Sequence, residues 1–217
     1  MAALVGYLAM FILAGVFSIA GGIPLTPLAL LWVNFANDVP IAAALGFDKE
    51  TPGLMSRKPR AVTSPVLTRT QWTRVVITGL LSAVCALLGR VIGEDAYDEA
   101  VGATMLLVTL SLLHVVIALS VRDEYGTIFN RASLPGAPQL RLYGVTLLLA
   151  LLVTEMGLLQ RIFDTVELSL DQWLICLGLA AILLVYEEAS KYVLRSRLKE
   201  PGADVMPVSQ ETRASSV

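Results

Sequence analysis

The sequence predicts an all-α polytopic membrane protein, a six-helix transmembrane bundle whose second helix is broken. Three observations predict this class. Hydrophobic residues make up 56% of the 217 residues, with a mean hydropathy of +0.72; long apolar runs recur along the chain; and basic residues concentrate between alternate runs. The apolar share exceeds that of a soluble domain. With one histidine, and with Cys85 and Cys176 inside apolar runs, neither a histidine-rich metal site nor a disulfide framework is expected.

Six apolar runs are long enough to span a bilayer, since about 20 residues at 1.5 Å per residue cross the hydrocarbon core. The first run lacks the basic n-region of a signal peptide, so we interpret it as a span. The second contains a polar centre that is treated below, and charged segments separate the other four. The predicted spans are Ala2–Ala20, Leu25–Gly46, Val75–Ile92, Val101–Val121, Leu142–Leu159 and Leu170–Tyr186.

The basic residues predict the orientation of the spans, because Lys and Arg favour cytoplasmic loops. Of the 16 basic residues, 14 lie in segments 47–74 and 122–141 and in the tail after the last span, whereas segments 93–100 and 160–169 are mostly acidic. The even number of spans agrees with this alternation. We therefore expect both termini in the cytoplasm and the protein in the plasma (inner) membrane.

The domain organisation follows from the same pattern. Residues 1–200 are predicted to form one six-span membrane domain, and residues 201–217 a disordered cytoplasmic tail, because they are polar and aperiodic. No glycine-rich phosphate loop and no nucleic-acid module is recognisable. The expected surroundings are the lipid bilayer without nucleic acid, and no cofactor is predicted beyond a bound cation.

The second span carries polar residues in the middle of an apolar run. Pro40 lacks an N–H group and clashes with the carbonyl four residues earlier, so the Ala36 carbonyl is expected to lose its helical partner. At α-helical spacing, Asn34, Asn37 and Asp38 can share one face. Their oxygens, with the Ala36 carbonyl, suit a hard cation or a proton. The sequence therefore predicts a cation or proton site at Asn34, Asn37 and Asp38, which the resemblance described below implies to be partial.

Each polar residue also has a structural interpretation. The polar groups of the second span could bond one another and hold helices together, although an acid at this depth costs about 2.5–3.5 kcal/mol on insertion scales, which favours a functional role. His114, in the fourth span, could donate to Asp38 or relay a proton. Alternatively, His114 bonds a neighbouring carbonyl group, and the sequence leaves both possibilities open.

Two stretches resemble a known family. The run "PLALLWVNFANDVPIAAALGF" followed by "DKETPGLMSRKPR" resembles the sixth transmembrane helix and following loop of P-type cation-transporting ATPases of the calcium-pump kind. The run "SLDQWLICLGLAAILLVYEEASKYVLR" resembles that family's last helix. The resemblance covers nearly all of residues 1–200. It implies that the six spans correspond to the family's fifth to tenth helices, the C-terminal transmembrane domain without the catalytic domains.

The resemblance also implies roles for single residues. Asn34 and Asp38 match the family's ligands on this helix, and Asn37 stands where Thr is usual. The family's fifth helix supplies an Asn and a Glu. The matching positions here are Gly6 and Ala9, which offer no side-chain oxygen. The resemblance therefore implies a cation site that lacks the side-chain ligands of the fifth helix.

The expected function follows from what the 217 residues contain. They include no D-K-T-G-T phosphorylation motif, and no nucleotide or actuator domain is recognisable. We therefore expect a non-enzymatic partner or regulatory subunit of a P-type ATPase or another membrane complex. The alternative is a small passive carrier or channel for protons or monovalent cations, with His114 as a proton relay. A decayed gene fragment is a third interpretation.

Overall fold

The computed structural model describes residues 1–47, 69–122 and 135–198. Within these ranges every regular element is a helix, which confirms the all-α membrane class. The tail 201–217, with its predicted disorder, lies outside the described residues. The helices are α1 Ala2–Phe17, α2 Pro27–Val33, α3 Val39–Gly46, α4 Arg69–Ala96, α5 Glu99–Val121, α6 Ala137–Glu155, α7 Gly157–Phe163 and α8 Leu170–Leu198.

Five described helices are long and apolar enough to cross a membrane, where the sequence predicted six spans. The difference is α1, an apolar helix of 16 residues. It ends early because Ser18 adopts a left-handed backbone conformation (φ 56°, ψ 28°), and a 3-10 turn, Ile19–Gly22, follows. The five are Pro27–Gly46, Arg69–Ala96, Glu99–Val121, Ala137–Glu155 and Leu170–Leu194.

The second span continues through its polar centre instead of stopping there. Helices α2 and α3 are joined without a gap by a π-helical segment, Asn34–Asp38, and Pro40 lies in the first turn of α3. A proline inside a membrane helix is tolerated where local π geometry re-satisfies the backbone groups that it leaves free. Pro40 predicted a break in this helix. In the structure, a π segment that ends two residues before the proline stands at that place.

The fifth predicted span is interrupted near its end. Met156 has an extended backbone (φ −85°, ψ 111°) and separates α6 from the short helix α7. Side chains then bond carbonyl groups at the end of α6. Thr165 Oγ1 donates to the Val153 carbonyl at 2.5 Å, and Gln160 Nε2 donates to the Thr154 carbonyl at 2.5 Å. These bonds meet the requirement that helix-end carbonyl groups find partners when they are buried.

Helix α5 lies at the centre of the bundle. It packs against α1, α4, α6 and α8 and is buried along most of its length. A Cβ atom added to Gly102 would lie 2.7 Å from the Arg90 carbonyl oxygen, and one added to Gly93 would lie 2.7 Å from the Gly102 Cα. Small residues allow such close helix approach in membranes. The C-terminal half of α5, which contains His114, lies beside α1 and the π segment.

Candidate functional site

The π segment separates the three polar residues that were predicted to share a face. The side chain of Asn34 is exposed, Asn37 is 1% exposed, and the side chain of Asp38 is 45% exposed. A π turn closes i→i+5 bonds and is wider than an α turn, so the spacing that brings positions three and four apart onto one α-helical face does not hold. Asn37 therefore enters the bundle, whereas Asn34 and Asp38 reach its outer side.

His114 joins this segment to α1 through a buried contact. Its Nδ1 lies 2.7 Å from the Leu110 carbonyl oxygen, which can only accept, so Nδ1 carries the proton. In the neutral ring Nε2 is then the acceptor, and the Tyr7 hydroxyl donates to it at 3.1 Å. The two rings are tilted by 33°, with centroids 5.4 Å apart. The carbonyl contact and the approach to Asp38, which the sequence left as alternatives, therefore occur together.

Asp38 completes a contiguous set of protonatable groups, which we call the Tyr–His–Asp cluster (Tyr7, Asp38 and His114). Asp38 Oδ1 lies 3.7 Å from His114 Nε2, the same atom that Tyr7 contacts. That distance exceeds a normal hydrogen bond. The three groups therefore come closest to one another at His114 Nε2. The predicted role of His114 as a proton relay stays a prediction.

Asn37 is the second unusual feature. Within the part of the chain that the structure describes, neither its amide oxygen nor its amide nitrogen has a hydrogen-bond partner. Leaving a buried polar group unpaired costs about 1–3 kcal/mol, and such groups call for an explanation such as a bound ion or water. Ala36 is also buried, at 2% exposure. The predicted roles of Asn37 and the Ala36 carbonyl as cation ligands stay predictions.

Gly6 and Ala9, the α1 positions that the resemblance matched to ligands, pack within the bundle. A Cβ atom at Gly6 would lie 2.6 Å from Ser82 Oγ, so this position packs against α4. Ala9 is a buried core residue. Tyr7 is the α1 residue that reaches the cluster, and the sequence analysis missed it. The one available signal was a hydroxyl-bearing ring in an otherwise apolar helix.

The π segment and the Tyr–His–Asp cluster offer four kinds of side-chain donor. They comprise one carboxylate, one imidazole, one phenol and the unpaired amide of Asn37, and hard cations prefer six to eight oxygen ligands. Among the described residues no group of three or more His, Cys, Asp or Glu side chains could hold a metal ion. A cation site at Asn34, Asn37 and Asp38 therefore stays a prediction.

Comparison with known proteins agrees with this architecture. The family model described as "Cation transporting ATPase, C-terminus" matches residues 22–193. The calcium-transporting ATPase of Bacillus subtilis is 32% identical over 162 residues, which are 74% of this chain and 18% of that protein. Calcium-transporting ATPase 1 of Lactococcus lactis is 28% identical over 172 residues (78% and 19%), and calcium-transporting ATPase 1 of Yarrowia lipolytica is 26% identical over 175 residues (80% and 19%).

These matches cover only a part of each relative. The chain spans under a fifth of the length of these curated relatives, and the matched part is the C-terminal membrane domain. The polar second span and the helices α4 to α7 fall inside the matched residues, whereas α1 precedes them. The chain belongs to the family of cation-transporting ATPase C-terminal domains, the cation-transport membrane domain of P-type ATPases.

Proposed function

We propose that this chain acts as the membrane partner in a P-type ATPase or another membrane complex, and that a further membrane helix completes its cation site. That helix lies on the same polypeptide or on another one. One observation carries the proposal. Asn34 is exposed, and 45% of the Asp38 side chain is accessible, in the middle of a membrane span. A carboxylate that faced lipid there would cost several kcal/mol, so such groups normally face protein or a water-filled cavity.

The surroundings of Asp38 support this proposal. Phe35 and Val39 lie beside the polar pair and are also exposed, at 62% and 57%. Together with Asn34 and Asp38 they form one surface, which we call the outer face. Its partner must therefore offer both apolar contact and polar groups. A membrane helix with oxygen-bearing side chains satisfies both requirements, and it would add oxygen ligands beside Asn34 and Asp38.

The proposal also covers the orientation of the chain in the membrane and its inability to hydrolyse ATP. We propose the plasma (inner) membrane with both termini in the cytoplasm, since basic residues concentrate in segments 47–74 and 122–141 and in the tail. We also propose that these 217 residues do not hydrolyse ATP by themselves, because they contain no D-K-T-G-T motif to accept phosphate. Purified chain incubated with ATP should form no hydroxylamine-sensitive phosphoenzyme, and formation of one would contradict this.

Site-specific photocrosslinking in native membranes tests the partner helix. A photoreactive amino acid replaces Phe35 on the outer face. The matched control replaces Leu174, which is 57% exposed on α8. We expect the probe at position 35 to capture a peptide from a P-type ATPase membrane helix with oxygen-bearing side chains, and the control to capture lipid. Equal protein capture at both positions, or lipid alone at position 35, would contradict the proposal.

A passive proton or monovalent-cation carrier is the second candidate, and the Tyr–His–Asp cluster favours it. The three groups meet at His114 Nε2, at 3.1 Å from the Tyr7 oxygen and 3.7 Å from the Asp38 oxygen. Reconstituted in liposomes with an imposed pH gradient, a carrier would dissipate the gradient, and His114→Phe would abolish that flux. If the wild-type rate equals that of empty liposomes, the carrier function is refuted.

A further inference from the structure

A groove of about 630 Å³ lies between α4 and α8, away from the Tyr–His–Asp cluster. It sits where α4 begins and α8 approaches its end, the side for which the basic residues predict the cytoplasm. Its lining combines cationic, hydroxyl-bearing and apolar side chains. The lining residues are Arg69, Thr70, Thr73, Arg74, Ile77, Tyr186, Ala189, Ser190, Val193 and Leu194.

The two arginines give the groove one net positive charge, because Arg74 is paired with Glu187. Arg69 is exposed at the start of α4. Arg74 Nη2 donates to Glu187 Oε2 at 2.6 Å, and the Thr78 hydroxyl donates to the other oxygen of that carboxylate. Glu187 is buried, yet 22% of the Arg74 side chain stays accessible. A guanidinium has five N–H donors, so the ion pair orients Arg74 and leaves it able to bind an anion.

The other parts of the groove match a lipid molecule. Ile77 and Val193 expose apolar surface along it. Trp72 and Tyr192 are exposed nearby on the same two helices, at 46% and 71%. Aromatic side chains of this kind concentrate at the membrane–water interface. The cationic end therefore lies at headgroup depth, and the apolar surface continues toward the hydrocarbon.

We propose that this groove binds an anionic phospholipid. Its phosphate sits between Arg69 and Arg74, with hydroxyl groups such as that of Ser190 at the rim, and one acyl chain runs along Ile77 and Tyr186. Basic pockets between membrane helices recognise anionic headgroups in this way. The bound lipid bridges α4 and α8 beside the Arg74 ion pair and ties the last helix to the bundle.

Native mass spectrometry of the purified chain tests the proposal with phosphatidylglycerol and phosphatidylcholine of identical acyl chains. We expect wild type to retain phosphatidylglycerol preferentially. Arg69→Gln should weaken that binding about fivefold, the factor that one basic side chain contributes near an anionic surface. The matched control is Arg161→Gln, an exposed arginine on α7 outside the groove, which should bind like wild type.

A second variant tests the shape of the groove. Ala189→Phe places a ring in it, whereas Ala181→Phe changes an exposed alanine two turns earlier on α8, outside the lining. The first should lower retention of both lipids, and the second should not. Excess inorganic phosphate should leave the bound lipid in place. Equal retention of the two lipids by wild type, equal losses in the arginine variants, or displacement by phosphate would each overturn the proposal.

Discussion

The bond between Tyr7 and His114 should contribute measurably to the stability of the bundle. Tyr7→Phe removes the hydroxyl that donates to His114 Nε2 at 3.1 Å and leaves that buried nitrogen without its donor. In soluble proteins an unpaired buried acceptor costs about 1–3 kcal/mol. Interhelical hydrogen bonds in membranes average about 0.6 kcal/mol, with a maximum of about 1.7, because the unfolded chain also finds partners. We expect a loss of about 0.6–1.7 kcal/mol.

Unfolding of the purified protein in mixed micelles with increasing denaturing detergent measures this loss. The control Tyr192→Phe changes an exposed ring on α8 and should shift the free energy of unfolding by less than about 0.5 kcal/mol. A double-mutant cycle with His114→Leu isolates the pair. In the His114→Leu background, Tyr7→Phe should cost nothing. An equal cost of Tyr7→Phe in both backgrounds would refute the assigned bond.

Three further stability predictions use the same unfolding assay. Gly102→Ala should lower the free energy of unfolding by about 1–3 kcal/mol, because its Cβ atom would lie 2.7 Å from the Arg90 carbonyl oxygen; Gly178→Ala, with no atom within 4 Å, should not lower it. Asn37→Leu should raise the stability of the isolated chain, since neither amide atom has a partner among the residues that the structure describes, and a loss would show that the amide is satisfied. Glu187→Gln should cost about 2 kcal/mol, below the range for fully buried ion pairs because Arg74 is partly accessible; an unchanged value would contradict the role given to this pair.

The sequence predicted the helical architecture because the hydropathy and length of a segment indicate whether it can cross a membrane as a helix. It could not predict the exact ends of those segments. The left-handed Ser18 shortens the first helix, and the extended Met156 divides the fifth span. Both features depend on local backbone conformation, and neither residue type predicts it strongly.

The sequence singled out two members of the Tyr–His–Asp cluster but not the third and not their geometry. Asp38 and His114, found as polar residues in apolar runs, do meet. The π segment turned Asn37 inward and left Asn34 outside, which α-helical spacing could not anticipate. Tyr7 is 107 positions from His114 in the chain. Only tertiary packing of α1 against α5 brings the two together, so no local pattern could have identified the pair.

The central claim is that Asp38 belongs to a cation site that this part of the chain completes only in part. Calcium-dependent stability of the purified chain tests it most directly. Ligand binding stabilises the folded state by RT ln(1 + [L]/Kd). For a partial site with a Kd of about 1 mM, 0.1 mM calcium adds less than about 0.1 kcal/mol and 10 mM adds about 1.4 kcal/mol.

The measurement compares wild type with Asp38→Asn and with the control variant Asp171→Asn. Asp171 is an exposed acidic residue at the start of α8. We predict stabilisation of wild type and Asp171→Asn at about 10 mM calcium but not at about 0.1 mM, and none for Asp38→Asn. Stabilisation of wild type by about 2 kcal/mol or more at 0.1 mM calcium, abolished by Asp38→Asn, would mean that the site is already complete. A millimolar effect that persists in Asp38→Asn would mean that the cation binds elsewhere.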